Sequence, residues 1–129
     1  MSANIKPKKD RVVLRHFLTN KLRKASYQWP ARKQAIQAAR VERGKYRCAI
    51  CLGESFGPRD IQVDHILPVV DEEAGFIDWN TYIERLFCYV EGYQVLCKAC
   101  HAAKTFFEQE IRKQVKHEKF KKDKEDSDI

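Results

Sequence analysis

The chain has 129 residues and a formal net charge of +7, with 33% charged and 43% hydrophobic residues. This length predicts one domain, or a small domain with extensions. The longest apolar runs are only a few residues, far below the roughly 20 that cross a bilayer. The N-terminus also lacks the apolar segment of a signal peptide. We therefore expect a cytoplasmic protein that has no membrane association.

The charge is unevenly distributed along the chain. Residues 1–47 hold 14 Lys/Arg against 2 Asp/Glu, whereas residues 48–129 hold 11 against 16. A basic arm on a mildly acidic body is typical of proteins that bind a polyanion, and nucleic acid is the commonest one. A solvated charged extension is the alternative interpretation of the same composition.

Two helices are predicted before the first cysteine. Residues 1–10 are expected to form a disordered basic leader. From Val12, apolar residues at helical spacing predict a first helix, which the Trp29-Pro30 pair interrupts. Pro30 is well placed to begin a second helix, which we expect to end at Gly44. Both helices are basic and amphipathic, which suits packing on a core, contact with DNA, or both.

The remaining elements are predicted from shorter patterns. Residues 61–63 alternate in polarity as a β-strand does, and residues 71–80 are expected to form a loop. Residues 81–90 predict a helix of about two and a half turns. A long, increasingly charged helix is expected over residues 102–122, followed by a frayed or disordered tail over residues 122–129.

Four of the five cysteines form two C-x-x-C pairs, Cys48 with Cys51 and Cys97 with Cys100, which are separated by 45 residues. Four thiolates paired in this way are the ligand set of a closed, tetrahedral, structural zinc site. A redox role is the weaker alternative, since no thioredoxin-like pattern surrounds either pair. We expect structural Zn²⁺ to clamp the segment between the pairs. The fifth cysteine, Cys88, is expected to be a buried apolar residue.

Asp64 and His65 are adjacent at the end of the predicted strand, and His101 directly follows Cys100. A strand that ends here can place the Asp64 carboxylate on a metal and leave the His65 imidazole free to act on a water. An imidazole with a pKa near its usual value of roughly 6.5 is a suitable general base at cellular pH. His101, at the start of the last helix, is placed to return toward Asp64. An exposed Asp-His pair without function is the alternative, but the flanking cysteine pairs favour a site.

The combined pattern C-x2-C, VDHI-x-P and Q-x-LC-x2-CH-x2-KT resembles the HNH endonuclease family, specifically its zinc-stabilised, phage-type members. The resemblance covers about residues 46–105, and the basic helices before Cys48 resemble the N-terminal extension of those phage proteins. It implies an α+β fold in which a ββα-metal (His-Me) finger with a four-cysteine structural zinc site is preceded by two basic helices and followed by a C-terminal helix. The implied organisation is a basic helical extension over residues 1–43, a nuclease domain over 44–108, and a charged helix and tail over 109–129.

The resemblance also implies a metal-dependent DNA endonuclease that hydrolyses phosphodiester bonds by nicking or by double-strand cleavage. By position in the motif, Asp64 and His101 would bind one divalent cation, Mg²⁺, Mn²⁺ or a similar ion, and His65 would activate the attacking water. Phage members of the family often act beside the genome-packaging terminase, so a phage origin, a terminase partner and the host cytoplasm are the implied setting. No small-molecule cofactor is expected. The alternative is a catalytically weak or inactive zinc module that binds DNA or a protein.

Affinity for DNA is expected to come from Lys and Arg contacts with backbone phosphates, which position DNA without reading bases. Nothing in the sequence resembles a dedicated recognition helix, so we expect weak sequence preference. The candidate phosphate contacts are Arg15, Arg23, Lys24, Arg32, Lys33, Arg40, Lys98 and Lys104.

One position departs from the family pattern. The middle asparagine of the family stands five residues before the third cysteine, and this chain has Gly92 there. Because that asparagine normally orients the catalytic histidine, Gly92 favours the inactive alternative. Asn80 and the backbone groups around Gly92 are the candidate substitutes.

Overall fold

The computed structural model describes residues 7–127, which form an α+β fold of four α-helices and two small antiparallel sheets. The α+β class expected from the sequence is confirmed. In chain order the elements are α1 (Lys8–Ser26), α2 (Pro30–Ala38), β1 (Arg40–Glu42), β2 (Lys45–Tyr46), β3 (Ile61–His65), α3 (Trp79–Leu86), a 3-10 turn at Val90–Gly92, β4 (Tyr93–Cys97) and α4 (Lys98–Ser127).

The second predicted helix begins at Pro30 as expected but is too long in the prediction. It ends at Ala38, and the residues that follow form the antiparallel hairpin of β1 and β2. Gly44 has a φ of +76° in the two-residue turn between these strands. Glycine adopts this left-handed conformation without steric cost, and it is the conformation that tight hairpin turns require. Gly44 therefore closes a hairpin instead of ending a helix.

Helix extends further than predicted at both ends of the described chain. α1 begins at Lys8, so the expectation of a disordered leader is wrong for residues 8–10. α4 begins at Lys98 and reaches Ser127, so the expected frayed tail is helical up to that residue. Lys and Glu are good helix formers, so charged segments rich in them can continue a helix. The rest of both predictions, over residues 1–6 and 128–129, lies outside the described residues.

The third helix begins two residues earlier than predicted, at Trp79. Asp78 caps it, since its Oδ1 accepts a hydrogen bond of 2.7 Å from the backbone N–H of Thr81. This satisfies one of the unpaired donors at the helix N-terminus. The helix ends at Leu86, which is buried, as is Tyr82.

β3 and β4 form the sheet that positions the site. They pair antiparallel with Ile61 opposite Cys97 and His65 opposite Tyr93. The predicted strand at residues 61–63 is thus confirmed and extends to His65. α4 follows β4 without a connecting loop and packs against both strands. Two strands followed by a helix therefore enclose the region where the sequence analysis placed its candidate residues.

Two clusters of buried residues hold this arrangement together. Ala31 and Ala35 of α2 pack with Tyr93 of β4, so α2 belongs to the same core as the β3–β4 hairpin. The second cluster consists of Cys48, Leu96 and Cys97. Two of these three residues are cysteines, one from each C-x-x-C pair. Among the described residues, no helix is long and apolar enough to span a membrane.

Candidate metal centres and cleft

The two C-x-x-C pairs meet in one cluster. The ligand atoms of Cys48, Cys51, Cys97 and Cys100 all lie within 4.8 Å of one another, and the Sγ atoms of Cys51 and Cys97 are 4.0 Å apart. Zinc–thiolate bonds of about 2.3 Å place sulfur atoms roughly 3.8 Å apart in a tetrahedron. The four cysteines can therefore hold a metal ion such as zinc.

The first cysteine pair is fixed to β4 through the backbone. The N–H of Ala49 donates to the carbonyl of Val95 at 2.9 Å, and the N–H of Leu52 donates to the carbonyl of Cys48 at 3.0 Å. Leu52 is the one non-glycine residue in the described chain with a positive φ, of 65°. A bulky residue in that region carries strain, which the surrounding structure must outweigh. The Ala49–Val95 hydrogen bond therefore holds this turn, and with it both thiols of the pair, against β4.

The pKa values of two thiols in the cluster are shifted in opposite directions. Burial raises the pKa of Cys48, but hydrogen bonds from the backbone at Cys97, Cys51 and Ile50 outweigh it and lower this pKa to about 6. The pKa of Cys100 is raised to about 12, first by its hydrogen bond with the Cys97 side chain and then by burial. The Cys48 thiol thus ionises easily, whereas the Cys100 thiol keeps its proton. A bound metal would displace that proton.

Asp64 and His101, which the sequence analysis proposed as ligands of a second cation, lie close together. His101 is in the first turn of α4, and its Nε2 is 3.8 Å from Oδ1 of Asp64 on β3. The two side chains are 30% and 13% exposed. Two ligand atoms that are each roughly 2.1 Å from a shared cation lie at most roughly 4.2 Å apart. The carboxylate oxygen and the imidazole nitrogen therefore fit one divalent ion.

The other oxygen of Asp64 is occupied by two hydrogen-bond donors. Gln94, directly opposite in the hairpin, donates from Nε2 to Oδ2 at 2.9 Å. Lys104 donates from Nζ to the same oxygen at 2.9 Å. The Lys104 ammonium also contacts Oε1 of Glu108 at 2.6 Å and the backbone carbonyl of His65 at 3.1 Å. These contacts fix the Asp64 carboxylate with its Oδ1 toward His101.

The His65 ring is held by the opposite strand and by the end of α3. It lies against Tyr93, with ring centroids 4.8 Å apart, and its Nε2 is 3.0 Å from the carbonyl oxygen of Leu86. The Tyr93 hydroxyl donates to the same carbonyl at 3.1 Å. Because a carbonyl only accepts, Nε2 of His65 carries a proton, and Nδ1 of the neutral ring is left as the acceptor. Nδ1 is therefore the ring atom that can accept a proton.

The electrostatic surroundings favour the neutral form of this ring. Burial lowers the pKa of His65 below its usual 6.5, and the positive charges of Arg32 and Lys104 lower it further. The hydrogen bond to the Leu86 carbonyl and the charge of Asp64 act in the opposite direction but do not cancel the shift. At neutral pH the imidazole is uncharged and able to accept a proton.

Gly92 stands where the family pattern has asparagine, and the structure supplies a local reason. A Cβ atom on Gly92 would lie 2.7 Å from Sγ of Cys88, closer than any real contact. The Gly92 carbonyl instead accepts a 2.9 Å hydrogen bond from the N–H of Ile66, the residue after His65. Asn80 lies in the first turn of α3, and no hydrogen bond between described residues joins it to His65. Cys88 itself is half-buried, and it packs against the Ala31–Tyr93 cluster.

A cleft of about 330 Å³ opens over these groups. Asp64, His65 and His101 line it, together with Lys104 and Glu108. Arginines from three helices also face it: Arg23 of α1, Arg32 of α2 and Arg112 of α4. Of the eight predicted phosphate contacts, three line the cleft. The other five, which do not line it, are Arg15, Lys24, Lys33, Arg40 and Lys98.

The sequence analysis missed three residues around the site: Glu108 and Arg112, which line the cleft, and Gln94, which donates to Asp64. Gln94 became visible only once the register placed it opposite Asp64. Glu108 lies seven residues after His101, and this spacing puts both on one face of a helix, so α4 gave a signal for it. Arg112 follows one turn later and donates to the carbonyl of Val70 at 3.0 Å, which fixes it at the rim of the cleft.

Comparison of the chain with protein-family models, with curated proteins and with solved structures finds no match. Function is therefore inferred from the geometry of the two sites and from the sequence motif. A closed set of four thiols lies beside an open carboxylate–imidazole pair at the bottom of a basic cleft.

Proposed function

We propose that this chain is a divalent-metal-dependent endonuclease of the HNH type, a ββα-metal finger that hydrolyses DNA phosphodiester bonds. The observation that carries the proposal is the 3.8 Å separation of Asp64 Oδ1 and His101 Nε2, in the same cleft as the His65 ring. Two protein ligands leave open coordination positions for a phosphate oxygen and for water, as a hydrolytic metal site requires.

In this mechanism, separate residues bind the cation, accept the proton of the attacking water and position the phosphate. Asp64 and His101 hold the cation, Mg²⁺, Mn²⁺ or a similar ion, which when bound would neutralise charge on the phosphoryl and leaving oxygens. His65 accepts the proton of the attacking water at Nδ1, while its Nε2–H stays on the carbonyl of Leu86. Arg32 and Arg112 at the cleft wall attract and position the phosphate backbone.

The four-cysteine cluster takes a structural role in this proposal. Four thiolates complete the tetrahedral coordination of zinc, so no position remains there for substrate or water. Its contribution is to join the Cys48–Cys51 turn to the β4–α4 junction, from which His101 projects. The motif resemblance further implies a phage protein that acts beside a terminase in the host cytoplasm, and this setting stays a prediction.

A plasmid-nicking assay tests the proposed activity. Supercoiled plasmid is incubated with the zinc-loaded protein and Mg²⁺ or Mn²⁺, and the parent is compared with His65→Ala. Removing the general base is expected to lower the nicking rate by about 100-fold or more. Lys33→Ala is the matched control, because Lys33 is an exposed residue of α2 outside the cleft. Equal rates for the parent and His65→Ala would contradict the role of His65.

Two observations favour the second candidate function, a zinc module that binds DNA without cutting it. The Lys104 ammonium occupies Oδ2 of Asp64, and Gly92 removes the asparagine of the family pattern. The same assay separates the two functions. Retention of DNA in a gel-shift experiment, with no nicking by the parent in any divalent ion, would favour the binding module.

A further inference from the structure

We propose that Lys104 competes with the divalent cation for Asp64, and that Glu108 keeps the displaced ammonium beside the site when the cation binds. This inference rests on the proposed function, since it assumes a cation between Asp64 and His101. It adds a residue that sets the affinity of that cation and that is neither a metal ligand nor the base.

Lys104 is held by three acceptors at once. Its Nζ lies 2.9 Å from Asp64 Oδ2, 2.6 Å from Glu108 Oε1 and 3.1 Å from the carbonyl of His65. An ammonium group has three N–H donors, so this set satisfies it completely. The side chain is 20% exposed, so solvent competes little for these contacts. The ammonium thus acts as the resident counter-ion of the Asp64 carboxylate.

A divalent ion at Oδ1 of Asp64 would bring two further positive charges close to that ammonium. Like charges a few ångströms apart repel strongly in the partly desolvated interior of a protein. Glu108 lies four residues after Lys104, the spacing at which helix side chains meet, so it can retain the ammonium without a change of backbone. Cation binding at Oδ1 therefore opposes the Lys104–Asp64 contact at Oδ2 and leaves the Lys104–Glu108 contact in place.

Removing the charge of Lys104 and removing the charge of Glu108 are predicted to have opposite effects on cation binding. Removing the ammonium frees Asp64 and strengthens cation binding. Removing the charge of Glu108 leaves Lys104 with Asp64 as its single carboxylate partner and weakens cation binding. The Lys113–Glu110 pair is a matched control, because it is an exposed pair at 3.4 Å on the same helix and does not line the cleft.

The experiment measures Mn²⁺ binding directly, by electron paramagnetic resonance of the free ion, on the zinc-loaded full chain. Lys104→Met and Lys104→Gln are expected to bind Mn²⁺ about tenfold more tightly than the parent, the scale of one charge-assisted hydrogen bond. Glu108→Gln is expected to bind it more weakly, and Lys113→Met to match the parent. Adding Asp64→Asn to Lys104→Met should abolish the binding. Circular dichroism verifies that each variant is folded.

Equal or weaker Mn²⁺ binding by the folded Lys104 variants would overturn the inference, because Lys104 would then only orient Asp64 and would not compete with the cation. If the parent nicks DNA in that case, the proposed function stands and only the competition fails. If neither the parent nor the Lys104 variants bind Mn²⁺ in a way that depends on Asp64, the cation site is absent, and the proposed function fails together with the inference.

Discussion

The four-cysteine cluster and the Asp64–His101 pair are two candidate metal centres built on the same strand–helix junction. Cys97 ends β4, Cys100 lies in the first turn of α4, and His101 is the next residue. The first centre is closed, with four thiols and a fully buried Cys48. The second has two candidate ligands and opens into the cleft. A filled coordination sphere stabilises a fold, whereas an incomplete one can bind a substrate.

This contrast predicts that the two regions respond differently to mutation. Changes at the cysteines should act on the free energy of unfolding and reach activity only through the fold. Changes in the cleft should act on DNA binding, cation binding or cleavage while the fold stays intact.

The largest effect is expected at the cysteine cluster. Cys48→Ser removes a fully buried ligand, so the free energy of unfolding should fall by more than roughly 4 kcal/mol, as with other losses of a structural metal. Denaturant unfolding followed by circular dichroism, with and without a chelator, measures this change. Cys88→Ala is the control, since Cys88 lies outside the cluster. A Cys48→Ser protein as stable as the parent would show that the cluster has no structural role.

A smaller loss of stability is expected at Gly92. A Cβ there would lie 2.7 Å from Cys88 Sγ, so Gly92→Asn should cost roughly 1–3 kcal/mol by overpacking. Cys88→Ala removes the sulfur and should relieve most of that cost. A double-mutant cycle from denaturant unfolding measures the coupling. Additive effects of the two changes would mean that Cys88 is not the reason for glycine at this position.

Two neighbouring basic residues of α2, Arg32 and Lys33, should contribute differently to DNA affinity. Arg32 lines the cleft, whereas Lys33 is exposed outside it. Arg32→Gln is expected to weaken DNA binding and to reduce the slope of log affinity against log salt by about 1, as the loss of one phosphate contact does. Lys33→Gln should change both less. Fluorescence anisotropy with a labelled duplex over a salt series makes the measurement, and equal effects would argue against binding in the cleft.

The smallest predicted effect is a shift in titration. Burial, Arg32 and Lys104 lower the pKa of His65 below 6.5, so the folded protein holds fewer protons than the unfolded chain just below pH 6.5. His65 therefore contributes stability above pH 6.5 that is lost as pH falls through its folded pKa. NMR titration of the imidazole should give a value under 6.5 that rises in Arg32→Gln. A pKa at or above 6.5 in the parent would contradict this environment.

The sequence predicted the cysteine cluster and the strand that carries Asp64 and His65 better than it predicted the contacts around them. Paired thiols and a strand that ends at His65 are local patterns, so the cysteine cluster and the strand at residues 61–63 were recognisable. Gly44 was misassigned because glycine suits both a helix end and a hairpin turn. The local pattern does not decide between them.

The contacts of Gln94, Glu108 and Gly92 could not be predicted in the same way. Gln94 meets Asp64 only when the hairpin register is known, and Glu108 reaches it only through Lys104. The close approach of Gly92 to Cys88 depends on an irregular segment between α3 and β4. Periodicity identifies the faces of single elements but not the register between them.

The most direct test of the second centre is anomalous diffraction from crystals of the zinc-loaded protein soaked in Mn²⁺. We predict a manganese peak roughly 2.1–2.3 Å from both Asp64 Oδ1 and His101 Nε2, separate from the zinc peak among the four cysteines. Manganese bound at the cysteines alone, or a structure with His101 turned away from Asp64 and no peak between them, would contradict the account.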